Sequence, residues 1–293
     1  MFEGLEERRV AVGEAELYLR LGGDGPPLLL LHGYPQTHVA WHRVAPLLAR
    51  DFTLVIPDLR GYGASTGPAP DPDHHNYSKR AMAEDMVALM AKLGHERFAL
   101  AGHDRGGRVG YRLCLDHPER VARFAALDIV PTLSVWEAMG ADQALNTYHW
   151  QFLAVPAPVP ERLIGSDPDF YFTHLLKRWA GRPDALDPAA VRAYCDQFHD
   201  PAVIAATCAD YRAGAGLDRA HDRADRDAGR KIACPVLVVW GRGYLSDKVD
   251  APLETWRDWA GDAREVALDC GHFLAEEAPG PCAAALRDFF LET

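Results

Sequence analysis

The stretch FALAGHDRGGRVGYRLCL, residues 98–115, dictates most of what this chain can become. An apolar run, Phe98 to Ala101, stops at Gly102, and a helical pattern resumes after Gly107. A strand that turns this sharply into a helix belongs in a sheet of parallel strands covered by helices. The surrounding sequence repeats the rhythm. PPLLLLHGYP, FTLVIPDLRGYGAS, VARFAALDIVP, CPVLVVWG and REVALD read as strands, and EAELYLRLGG alternates as a half-buried strand does. WHRVAPLLAR, SKRAMAEDMVALMAKLG, LETWRDWAG and PCAAALRDFFLE carry helical periodicity. The predicted class is α/β, a mostly parallel sheet with helices on both faces. After Pro131 the rhythm breaks into aromatics, prolines and helical segments without a good buried strand. We therefore expect an α/β core in two parts, residues 1–131 and 229–293, interrupted by a helical cap, residues 132–228.

Charge and composition narrow the partners. The formal net charge of −11 argues against nucleic acid and anionic membrane. It leaves room for a small anionic substrate, because local arginines can invert the potential inside a pocket. No apolar run reaches the ~18 residues of a membrane span, and MFEGLEERRV has no apolar core of a signal peptide. A cytoplasmic protein is expected. The six cysteines are scattered without a C-x-x-C pair, so they are read as reduced packing residues. No metal, nucleotide or flavin motif is present, and no cofactor is expected.

Gly102-His103-Asp104-Arg105-Gly106 fits the G-x-nucleophile-x-G elbow, with Asp in place of the commoner Ser. The bland alternative is a glycine-rich turn whose Asp caps a helix. Two other places favour chemistry. His272 lies in the glycine-flanked turn of DCGHFLAEEAP, and Asp128 ends the strand that follows the elbow. Strand carboxyl ends converge on the ligand site in such sheets. The order Asp104, Asp128, His272 is the nucleophile–acid–base order of α/β-hydrolases. Asp247, after VVWGRG, is the rival acid. HGYP, residues 32–35, follows a strand and offers the Tyr34 amide, with that of Arg105, as an oxyanion hole.

HGYPQTHVAWHRVAP, GHDRGGRVGYRL, LDIVPT, YHWQFLAVPAP, DPDFY, CADYRAGA and CGHFLAEEAP together resemble the α/β-hydrolase superfamily, and within it the fluoroacetate (haloacetate) dehalogenases. The resemblance runs nearly end to end. Arg105 is its most telling residue, because haloalkane dehalogenases and many epoxide hydrolases of this fold carry Trp there. Arg105 and Arg108, three apart on one helical face, could clamp a substrate carboxylate. The resemblance implies that Asp104 displaces halide from a haloacetate and that His272, oriented by Asp128, directs water onto the resulting ester. It further implies a halide site at His149, Trp150 and Tyr211, a pocket-lining Trp179, and a homodimer. Two departures stand out. Tyr34 replaces the family's usual Phe, and WGRGYLSDKVD diverges from the family pattern. Whether C–F or only C–Cl and C–Br bonds are cleaved stays open. The rival readings are an epoxide hydrolase drawing on Tyr148, Tyr171, Tyr194 or Tyr211, and a non-catalytic binding module. An esterase is disfavoured by the absence of Ser at the elbow.

Overall fold

The computed structural model describes residues 1–245, 249 and 251–292. Eight strands form one sheet: β1 (Glu6–Val12), β2 (Ala15–Gly22), β3 (Pro27–Leu31), β4 (Thr53–Pro57), β5 (Phe98–His103), β6 (Val121–Leu127), β7 (Val236–Gly241) and β8 (Ala263–Leu268). Their order is β1-β2-β4-β3-β5-β6-β7-β8. The pairings of β1 with β2 and of β2 with β4 are antiparallel, and every later pairing is parallel. β3, β5, β6 and β7 are the apolar runs read from the sequence. Leu28 to Leu31 of β3 are fully buried, as expected for a strand covered on both faces.

The strand order reverses at β3, between β4 on one side and β5 on the other. That reversal opens a crevice at the strand carboxyl ends. Tyr34 and Asp104 leave β3 and β5 there, with Leu31 paired to Gly102 and His103 to Leu127.

Between β6 and β7 all the regular elements are helices. Three of them start alike. Asp167, Asp187 and Asp200 each accept a backbone N–H from the first turn, and each is followed by Pro at the first helical position. The carboxylate satisfies an orphan amide while the proline needs none. β1 was not anticipated. Its burial is mostly exposed, because a charged edge strand carries little apolar signal. WHRVAPLLAR, residues 41–50, holds only the end of a 3-10 turn, His38–Trp41, and a one-turn helix, Ala45–Leu48, rather than one continuous helix. Pro46 opens the second piece, where its missing N–H costs nothing.

The elbow depends on two glycines. A Cβ on Gly102 would lie 2.5 Å from the Gly106 carbonyl oxygen, and one on Gly106 would lie 2.4 Å from the His32 carbonyl oxygen. Both contacts are with backbone, which cannot step aside. Gly106→Ala should therefore lose about 3 kcal/mol of stability, at the upper end of overpacking costs. Urea unfolding of the two proteins checks this; an unchanged midpoint would contradict the close packing described.

Candidate active site

Asp104 sits at the tip of the turn from β5 into the helix Arg105–Asp116. Its φ of 43° lies in a region that side chains other than Gly seldom adopt. The turn projects the carboxylate off the sheet and over the N-terminal end of that helix. The Tyr34 amide donates to Asp104 Oδ2 at 3.0 Å. The Arg105 amide is the first of the helix and has no intrahelical acceptor. Burial by itself would raise the Asp104 carboxyl. The surrounding charges of His272, Arg108, His103 and Arg105 outweigh it and hold the group well below the usual carboxylate range. Asp104 is thus an ionised carboxylate in a buried setting.

His272 lies between β8 and the C-terminal helices. Its Nδ1 is 2.6 Å from Asp128 Oδ2, and the other oxygen, Oδ1, accepts the Gly241 amide at 2.8 Å. Asp128 also has a positive φ, 56°, which turns its side chain across the end of β7. With the Nδ1 proton directed at a carboxylate, Nε2 is left as the basic nitrogen. The rival acid Asp247 lies outside the described residues. The His272 amide donates to the Trp179 carbonyl at 3.0 Å, joining the base loop to the helical insertion. On the other side His103 Nε2 donates to the His272 carbonyl at 2.7 Å. Burial, reinforced by the charge of His272, pushes the His103 imidazole down to about 4, so it is neutral and can serve as that donor.

Asp104, Asp128 and His272 line one cavity together with Arg108, His149, Trp150 and Trp179. About 40 Å³ of it is open to water. At ~10–15 Å³ for each water, that is room for a few non-hydrogen atoms. Arg108 holds its place through Nη1, which donates to the Val130 carbonyl at 3.0 Å and to Thr132 Oγ1 at 3.2 Å. Its guanidinium lies 4.5 Å over the Trp150 ring. Arg108 Nε is buried with no hydrogen-bond partner among the described residues.

Arg105, Tyr211 and the Tyr34 side chain are not among the described lining residues of this cavity. Arg105 gives Nε, at 3.0 Å, and Nη2 to the carboxylate of Asp210, which leaves Nη1 buried and unpaired among the described residues. Tyr211 lies under that guanidinium at 4.2 Å, with ring centres 5.9 Å from His149 and 6.2 Å from Trp150. Tyr34 is fully buried among Phe172, Trp179, Phe198, His149 and Tyr211. Of the cap tyrosines, Tyr148, Tyr171 and Tyr194 are likewise absent from the described lining.

Sequence reasoning missed three members of this neighbourhood. Asp210 stands beside Tyr211 in CADYRAGA, but its grip on Arg105 leaves no local signal. Tyr244, a lining residue with its ring centre 4.2 Å from that of His272, falls in the divergent segment WGRGYLSDKVD. His103 was visible only as a flank of the elbow. No group of three or more His, Cys, Asp or Glu among the described residues could hold a metal ion.

Comparison with known proteins places this geometry. The family model for the alpha/beta hydrolase fold matches residues 26–279. The chain is 46% identical to a fluoroacetate dehalogenase from Burkholderia sp, over 99% of this chain and 95% of that protein. It is 32% identical to a soluble epoxide hydrolase from Corynebacterium sp. (strain C12), over 88% and 87% of the two chains. A crystal structure of an α/β hydrolase from Nostoc sp PCC 7120 superposes with a TM-score of 0.97 at 50% identity, covering all of both chains.

The His103 contact carries a pH signature. The folded imidazole titrates near 4 against an ordinary value of 6.5. Between those values the unfolded chain binds a proton that the folded chain refuses, so stability falls as pH drops from 6.5 toward 4. At about 1.4 kcal/mol per pH unit, the His103 contribution to that loss is about 3 kcal/mol. Urea titrations at pH 6.5 and 4 should show a smaller loss for His103→Gln than for the parent. Equal losses would contradict the assignment.

Proposed function

The chain belongs to the fluoroacetate dehalogenase family of α/β-hydrolases, and from that premise we propose that it hydrolyses haloacetates to glycolate and halide through a covalent Asp104 ester. The observation that carries this reading is the pairing of an ionised carboxylate with a buried cation. Arg108 shares a cavity of about 40 Å³ with Asp104 and the His272–Asp128 pair. Such a wall favours a substrate that is both small and anionic. A neutral epoxide would gain nothing from it, and the cap tyrosines Tyr148, Tyr171, Tyr194 and Tyr211 lie outside the described lining.

The Tyr34 amide on Oδ2 marks that oxygen as the future ester carbonyl and leaves Oδ1 to attack. Oδ1 displaces halide in line from the α-carbon, and the carbon–halogen electron pair departs with the halide. His149 and Trp150 line the same cavity and are the groups assigned to hold the leaving halide, with Tyr211 packed beside them. Trp179 closes the pocket over His272 with its ring at 88° to the imidazole. His272 Nε2 then takes a proton from water, and the hydroxide attacks the Asp104 carbonyl carbon. The amides of Tyr34 and Arg105 hold the oxyanion until it collapses: the bond from the Asp104 carbonyl carbon to the glycolate oxygen breaks, that oxygen takes the proton from His272, and Asp104 returns to its carboxylate by losing a proton to water. The same reading carries the homodimer and the cytoplasmic location that the resemblance implies.

Fluoroacetate, chloroacetate and a simple epoxide should be offered to the parent protein and to Asp104→Ala. Halide and glycolate should appear with the parent only. In heavy-oxygen water one turnover should label Asp104, and His272→Gln should accumulate a species heavier by one carboxymethyl group. Chloride release without fluoride release restricts the reading to weaker carbon–halogen bonds. Turnover of the epoxide alone replaces it with epoxide hydrolysis.

A further inference from the structure

Around the Arg105 side chain lies a buried charge cluster that the reaction as written does not use. Asp210, in the helix Pro201–Ala215, is fully buried. One oxygen, Oδ2, accepts Arg105 Nε at 3.0 Å and the Tyr62 hydroxyl at 2.8 Å. The other accepts Arg105 Nη2 and Lys79 Nζ. The backbone carbonyl of Asp210 takes a further bond from Arg105 Nη2, at 2.9 Å. Lys79 is itself 1% exposed and is shared with Asp218, which accepts the Lys79 amide at 2.9 Å and faces its ammonium at 3.7 Å.

The geometry points to Asp210, with Lys79 as its counter-charge, as the positioning pair that fixes Arg105 and turns its unpaired NH2 group, Nη1, toward the substrate carboxylate. This rests on the haloacid reading above. Two edges of the guanidinium fork are consumed by Asp210, and the face is covered by Tyr211 from the next position in the chain. What remains is one NH2 group, Nη1, in a fixed orientation. A carboxylate on that donor and on Arg108 would present its α-carbon to Asp104 in one orientation. Lys79 matters because a carboxylate held by Arg105 alone would cancel its charge. With Lys79 present, two cations balance Asp210 and Asp218; without it two carboxylates would face Arg105 alone and repel the substrate.

The test uses chloroacetate turnover and inhibition by acetate, a carboxylate that cannot react. In Asp210→Asn the guanidinium keeps its charge but loses its fixed direction. The value of kcat should fall ~100-fold, the scale of an ångström-sized misplacement, while acetate inhibition stays the same or tightens. Lys79→Met should do the opposite: acetate inhibition weakens several-fold, and kcat falls less than in Asp210→Asn. Thermal melts establish that each variant is folded. A folded Asp210→Asn protein with unchanged kcat overturns the proposal, as does one that loses kcat and acetate binding together. Should Asp210→Asn fail to fold, Lys79→Met decides alone, and unaltered acetate inhibition is then the overturning result. A parent protein that turns over no haloacetate overturns the functional reading first, and this inference with it.

Discussion

The active site depends on a steric bargain at the turn between β5 and its helix. Bare glycine backbone at positions 102 and 106 lets strand and helix approach until main-chain atoms touch. That approach forces Asp104 into a left-handed conformation and lifts its carboxylate clear of the sheet. The strain is local, and the buried strands on either side sustain it. Everything else in the site is arranged around the point where this carboxylate emerges: the Tyr34 amide beneath it, the helix terminus behind it, and His272 across the cavity.

Electrostatics divides the site into two halves. On one side Asp128 holds His272 in a single tautomer, and His103 supports the loop of His272 through its carbonyl. On the other, Arg108 and Arg105 supply cations, each restrained by a different device. Arg108 is tied to backbone and hydroxyl acceptors and lies against Trp150. Arg105 is tied to a carboxylate and lies against Tyr211. Asp104 stands between the halves, and charges from both keep it ionised despite burial.

The cluster of Asp104, Asp128 and His272 was legible in the sequence because its residues announce themselves through local turn chemistry. Asp104 is framed by glycines, His272 follows one, and Asp128 ends an apolar run. The central strands were legible for the same reason, as short apolar runs cut off by turn residues. β1 was not, since its exposed charges hide the alternation. The restraint on Arg105 was not legible either. Asp210 lies 105 residues away along the chain, and a helical Asp carries no mark of what it will face after folding. The two arginines could be seen to share a helix face, but not that one of them would be gripped by Asp210.

The bond from the His272 amide to the Trp179 carbonyl has a consequence for modularity. The base belongs to the core, and its acceptor belongs to the inserted helices. An insert of different design would have to bring a carbonyl to the same point. Otherwise it would leave a buried N–H unpaired beside the catalytic imidazole, at a cost of about 1–3 kcal/mol. The helical insertion is thus not an interchangeable lid on a finished catalyst. His272 of the core is oriented partly by the helical segment that carries Trp179, so the two cannot be exchanged independently.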